Sequence, residues 1–140
     1  MKQLRRLGVF CWCALLFSAV AADAEKNVDD AYVATVDSDG GQRVRIVGGE
    51  YFFKPNRIVV KVNVPVEFSV SREAGIVPHS LVIEAPAAGI AVDEDLSTEV
   101  RKLTFTPTAP GTHLIYCKNK LLFFKSHRER GMEGILEVVP

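Results

Sequence analysis

One hundred and forty residues, 48% of them hydrophobic and 24% charged, make a chain of single-domain length with enough apolar material for a packed core. Lys and Arg balance Asp and Glu at 17 each, which removes the bulk electrostatic case for a nucleic-acid partner. No apolar run reaches the roughly 18–20 residues of a spanning helix, and 10 glycines with 7 prolines suit a turn-rich β protein rather than a low-complexity chain.

The N-terminus reads as an export signal. Lys2, Arg5 and Arg6 precede an apolar stretch from Leu7 to Val20, and small residues follow, which is the layout of a secretory signal peptide. Two sites fit the A-x-A cleavage pattern, Ala19-Val20-Ala21 and Ala22-Asp23-Ala24; the second directly precedes polar Glu25, so cleavage is expected after Ala24. The apolar stretch is short for a retained anchor, and no stable membrane insertion is expected after cleavage. Cys11 and Cys13 lie inside that stretch, without the small residues that lipid attachment would want before them. Residues 25–140 then carry 14 positive and 16 negative charges, because the leader takes Lys2, Arg5, Arg6 and Asp23 with it. Cys117 is the one cysteine left, in a chain bound for an oxidising compartment. It has no internal disulfide partner, so it is a free or intermolecular thiol, a metal ligand or a small core residue.

In chain order the mature segment shows short, β-branched, alternating runs. Tyr32–Val36 leads to a turn at Ser38-Asp39-Gly40-Gly41 and then Arg43–Val47, read as strand, turn, strand. Further strands are predicted at Ile58–Val62, Val66–Val70, Ser80–Glu84, Lys102–Thr106, Thr112–Cys117 and Gly134–Val139, with Pro and Gly in the breaks. About eight short strands with no sustained helical period predict an all-β sandwich, in one domain over 25–140. The acidic stretch from Asp93-Glu94-Asp95 to Glu99 is expected as a solvated hairpin.

The chemistry-bearing residues are few. Cys117, His127 and Met132 fall within sixteen positions between two strand patterns, and His79 follows Pro78 at the mouth of another strand. Two imidazoles, a thiolate and a thioether form a soft donor set that suits mononuclear copper of the electron-transfer kind. Any one of these residues alone has an ordinary structural reading; the four together do not. His113 lies four residues before Cys117, on the same strand face, and is expected as a surface or neighbouring group rather than a ligand.

At these positions the sequence resembles the cupredoxin family, the plastocyanin, azurin and rusticyanin group. The stretch Pro110-Gly111-Thr112-His113-Leu114-Ile115-Tyr116-Cys117 is similar to the family's approach to its copper cysteine. His127-Arg128-Glu129-Arg130-Gly131-Met132-Glu133-Gly134 resembles the plastocyanin-type ending, and Tyr51–Asn56 with Ile58–Val62 resembles the opening of small bacterial members. The resemblance covers about residues 50–140. It implies a Greek-key β-sandwich, a single copper ion, and His79, Cys117, His127 and Met132 as its ligands, Met132 being the weak axial one. It also implies an exported, periplasmic one-electron carrier rather than an enzyme, monomeric, with a redox protein partner such as a cytochrome or a terminal oxidase. The binuclear copper variant needs a second loop cysteine, which is absent. Multicopper oxidases need several such domains and His-x-His motifs, also absent.

Two departures from the family pattern stand out. Nine residues separate Cys117 from His127, many more than in well-known members. Extended, they reach about 30 Å, whereas both ligand atoms must sit about 2 Å from one metal, so the excess is expected as an Ω-like loop or a short helical turn. Ser80 stands where many members have asparagine, a neighbour that hydrogen-bonds near the sulfur and tunes the redox potential.

The inserted loop joins Leu121, Leu122, Phe123 and Phe124 to Lys120 and Lys125, with Arg128 and Arg130 following. Two readings are open and compatible: an apolar, basic-rimmed docking surface for an acidic partner, or a plug in which Leu122 and Phe123 fold back to close the sandwich end. In the family the histidine on the C-terminal loop commonly turns an edge to solvent while the first is more enclosed, which implies His127 as the electron port. The runner-up function is a periplasmic copper-binding protein for copper tolerance or delivery. The stretch Glu25–Val47, with neither His nor Met, lacks the accessory segment that role would favour.

Overall fold

Alternation of buried and exposed residues is visible in several strands of the computed structural model, which describes residues 31–140; the expected signal peptide, residues 1–24, lies outside the described residues. In the strand Gln42–Gly49 (β2), Val44 and Ile46 point inward while Arg43 and Arg45 face water. In Val66–Arg72 (β5), Val66, Phe68 and Val70 point inward in the same way. The other strands are Tyr32–Val33 (β1), Phe52–Lys54 (β3), Arg57–Lys61 (β4), His79–Ala85 (β6), Ile90–Leu96 (β7), Arg101–Phe105 (β8), Gly111–Tyr116 (β9) and Glu133–Val139 (β10). They form two sheets, ordered β1-β4-β10-β9-β6-β7 and β3-β2-β5-β8. The chain changes sheet between β1 and β2, β3 and β4, β4 and β5, β5 and β6, β7 and β8, and β8 and β9, so its apolar faces close on one core in a Greek-key sandwich.

All eight predicted strands are present, and two more join them. β3 has three residues and ends at Pro55, too short to register as a period. β7 corrects the expectation of a solvated hairpin at Asp93-Glu94-Asp95: those acids sit in a strand paired with β6 along its whole length. As an edge strand, β7 buries Ile90 and Leu96 and can turn acids outward, where they also discourage pairing with another chain. Glu94 pairs with Arg101, and Asp93 with Lys118.

The first two strands, read as strand, turn, strand, do not pair with each other as a hairpin. A single Val36–Gln42 bridge remains, while β1 runs parallel to β4 and β2 lies in the opposite sheet beside β5. β2 sends Val44 and Ile46 into the core from its sheet, whereas Tyr32 and Val33 of β1 stay exposed at the edge of the other and only Ala34 beyond them is buried. Buried Gln42 fastens the two sheets where they meet: its amide nitrogen donates to the Lys61 carbonyl at 3.3 Å, and its amide oxygen accepts from the Lys61 N–H at 2.7 Å. Both ends of a fully buried amide are thus satisfied.

Strand polarity places the site. β10, β9 and β6 are neighbours and successively antiparallel, with Glu133 opposite Tyr116 and Tyr116 opposite Val82. The start of β6, the end of β9 and the start of β10 therefore share one end of the sandwich. His79 opens β6, Cys117 follows β9 and Met132 precedes β10. No helix among the described residues is long and apolar enough to cross a membrane.

Candidate metal centre

Three side chains converge at that end. The ligand atoms of His79, Cys117 and His127 all lie within 4.8 Å of one another, and all three residues are buried. Nδ1 of His79 stands 3.1 Å from Nδ1 of His127, and Sγ of Cys117 stands 3.5 Å from the same His127 nitrogen. Two ligands bound about 2 Å from a shared ion stand roughly 3–3.5 Å apart, so this spacing fits a single small metal ion. Burial pushes the His79 imidazole below the ordinary histidine pKa, with the nearby His127 and Arg72 adding to it against Glu50. Burial, then Arg130, pushes His127 the same way. Both shifts favour the neutral ring, the form that ligates a metal.

The backbone around these residues ties them to each other. The Cys117 N–H donates to the Met132 carbonyl at 3.1 Å, and the Met132 N–H donates to the His127 carbonyl at 3.0 Å. Met132 is fully buried. A Cβ on Gly48 of β2 would fall 3.3 Å from its terminal methyl and 2.8 Å from Leu96, so the bare backbone there makes room for the thioether side chain. Gly131, with φ of 99°, takes the left-handed conformation that ends the single 3-10 turn Arg128–Arg130 and feeds Met132 inward.

Ser80 is fully buried beside the sulfur. Its N–H donates to Cys117 Sγ at 3.4 Å, its hydroxyl lies 3.7 Å from Sγ, and that hydroxyl accepts from the Lys118 N–H at 3.1 Å. Asn119 carried no signal in the sequence, yet its side-chain oxygen lies 3.3 Å from Sγ and its carbonyl accepts from the His127 N–H at 2.9 Å. Tyr51 was visible only as part of a motif; its ring meets His127 edge-on at 5.2 Å while Arg130 stacks over its face at 4.8 Å. His113 stays outside the group, and its buried Nε2 has no hydrogen-bond partner.

The long loop takes the irregular course of the two expected; the helical turn comes after His127 rather than before it. Its apolar tip does not fold inward. Leu122 is 76% exposed and Phe123 84%, which removes the plug. A groove of about 440 Å³ runs between this loop and the 76–78 segment, with Tyr51, Pro78, Leu121, Phe124 and His127 among its lining residues. His127 borders the groove but is only 4% exposed against 6% for His79, so the expected contrast between an open and an enclosed histidine is absent. The Tyr51 ring packs against His127. Of the basic residues, Arg128 pairs with Glu133 and lies over the Tyr116 ring.

No protein-family model and no curated protein matches the sequence. Solved structures match the fold. The metal-binding domain of the Cu(I)-exporting P-type ATPase CopA of Streptococcus pneumoniae D39 aligns with a TM-score of 0.60 at 20% identity, over 80% of this chain and 98% of that one. Auracyanin B aligns with a TM-score of 0.55 at 23% identity, over 76% and 95% of the two chains. The periplasmic domain of cytochrome oxidase subunit II (CoxB) of Bradyrhizobium japonicum gives 0.53 at 17% identity, over 75% and 88%. Sheet order and site together define a β-sandwich with a buried soft-donor metal centre at one end. The fold is the cupredoxin fold, and the donor set fits copper.

Proposed function

We propose that this chain is an exported, periplasmic, mononuclear type 1 copper protein that carries single electrons, with His79, Cys117 and His127 as ligands and Met132 as the weak axial one. The convergence of two imidazoles and one sulfur in a buried triad carries the reading. Bound copper supplies a one-electron couple between Cu(I) and Cu(II). The protein's part is to hold the donors still and keep water out. Backbone hydrogen bonds among Cys117, His127 and Met132 fix their spacing, and Ser80 orients the sulfur. Export rests on the N-terminal pattern, and a monomer is proposed, with no catalysed conversion of a substrate.

The second reading, copper tolerance or delivery, needs donors that an acceptor protein can reach. Here all four candidate ligands are buried, which favours retention over hand-off. Purified exported protein loaded with copper(II) should show an intense visible band that is lost on reduction and restored on reoxidation. Uptake of Cu(I) with no such band in the oxidised protein would favour delivery instead. Met132→Gln should keep copper bound yet shift the reduction potential, since a weak ligand would tune more than it holds. Loss of the metal in that variant would assign Met132 a holding role.

Electrons should pass through the face that carries the groove, to an acidic redox partner such as a cytochrome or a terminal oxidase. The 121–124 tip supplies apolar contact, and Lys120, Lys125, Arg128 and Arg130 supply the basic rim. Reversing Lys120 and Lys125 to glutamate should slow association with the partner about tenfold at low salt and flatten its salt dependence, with the visible spectrum unchanged. Phe123→Ala should change stability by no more than about 0.5 kcal/mol, as an exposed side chain does, while weakening the complex. Parent-rate transfer in both variants, measured by stopped flow, would remove this face from the docking role.

A further inference from the structure

Nine residues between Cys117 and His127 pose a geometric problem that the loop tip does not solve, because its own hydrogen bonds are local: Phe124 N–H to the Leu121 carbonyl, and Ser126 to Glu129. One residue spans the gap. The Asn119 carbonyl accepts from the His127 N–H at 2.9 Å, and its side-chain amide lies 3.3 Å from Cys117 Sγ. The first contact pinches off residues 120–126 as an appendage; the second reaches back to the sulfur. Asn119 is therefore in contact with both residues that the insertion separates.

We infer that Asn119 is a positioning residue for the centre: its backbone closes the ligand loop, and its amide N–H₂ donates a hydrogen bond to the Cys117 thiolate. This rests on the copper reading above. With a thiol at Cys117, the S–H donates to the amide oxygen, as the structure shows. A thiolate has no proton to give and accepts only, so an amide oxygen facing it is repelled. Rotation of the amide by half a turn exchanges oxygen for nitrogen at almost unchanged shape, and the contact becomes a charge-assisted donor bond. Asn119 is half-buried, so the oxygen displaced by that rotation can find water. Together with the Ser80 N–H at 3.4 Å, the sulfur then receives donors from two separate loops. Such donors withdraw charge from the sulfur and stabilise the electron-richer, reduced centre.

Two substitutions and two readouts test this. In copper-loaded protein, Asn119→Ala should move the thiolate-to-copper band to longer wavelength and lower the reduction potential. Asn119→Asp, matched in shape but with no N–H to offer, should move both further in the same direction. In copper-free protein the His127 amide should exchange slowly with solvent in the parent and in Asn119→Ala alike, because that bond uses the backbone. Parent-like band and potential in both variants would overturn the donor role, and rapid His127 exchange in the parent would overturn the loop closure. If the parent itself gives no thiolate-to-copper band, the copper reading fails and the donor role with it, while the exchange result still decides the closure.

Discussion

Cys117→Ser is expected to abolish the intense visible absorption of the copper-loaded protein while leaving the sandwich folded. The band of a thiolate–copper bond comes from charge moving from sulfur to metal, and a serine hydroxyl, a hard and protonated donor at neutral pH, provides no equivalent. Three contacts of the centre meet at the Cys117 sulfur: His127 Nδ1 at 3.5 Å, the Ser80 N–H at 3.4 Å and the Asn119 amide at 3.3 Å. Its backbone N–H to the Met132 carbonyl is untouched by the substitution, so the loops keep their course. Far-ultraviolet circular dichroism should match the parent, and the visible spectrum should be blank. A persistent band in the variant would show that the absorbing ligand is another residue, and the assignment would fall.

Phe68→Ala should cost about 3–5 kcal/mol of unfolding free energy, read from denaturant midpoints at an unchanged slope. Phe68 is fully buried at the middle of β5, and its ring meets that of Phe105 on β8 edge-on at 5.1 Å. Deleting it removes the transfer free energy of the ring, loses the aromatic contact and leaves a cavity that two hydrogen-bonded sheets cannot collapse to fill. That loss is a large fraction of the roughly 5–15 kcal/mol that holds an ordinary domain together. Bound copper would add stability by mass action, so the comparison belongs in copper-free protein. A cost under about 1 kcal/mol would mean that the core yields at Phe68.

The sequence by itself determined the sandwich and the identity of the candidate ligands. Period-two alternation in runs such as Val66–Val70 declares which face is buried, since burying Val66, Phe68 and Val70 together requires a strand. His79, Cys117, His127 and Met132 were legible because soft donors are scarce in the chain and because strand ends flank them. Where charge interrupts the period, the strand was missed: Asp93, Glu94 and Asp95 were expected in a solvated hairpin, and they occupy an edge strand whose outward positions tolerate acids.

Only tertiary structure decided the partners. The turn after Val36 is local, but whether the strands it joins pair with each other depends on which sheet completes the core, and β1 went to β4. The inserted loop has no period to read; its tip stays in water because the end of the sandwich is already filled by Met132, His127 and the Tyr51 ring. Asn119 reached the sulfur for the same reason. A contact between residues 117, 119 and 127 follows from where the chain folds back, and spacing along the sequence carries no record of that.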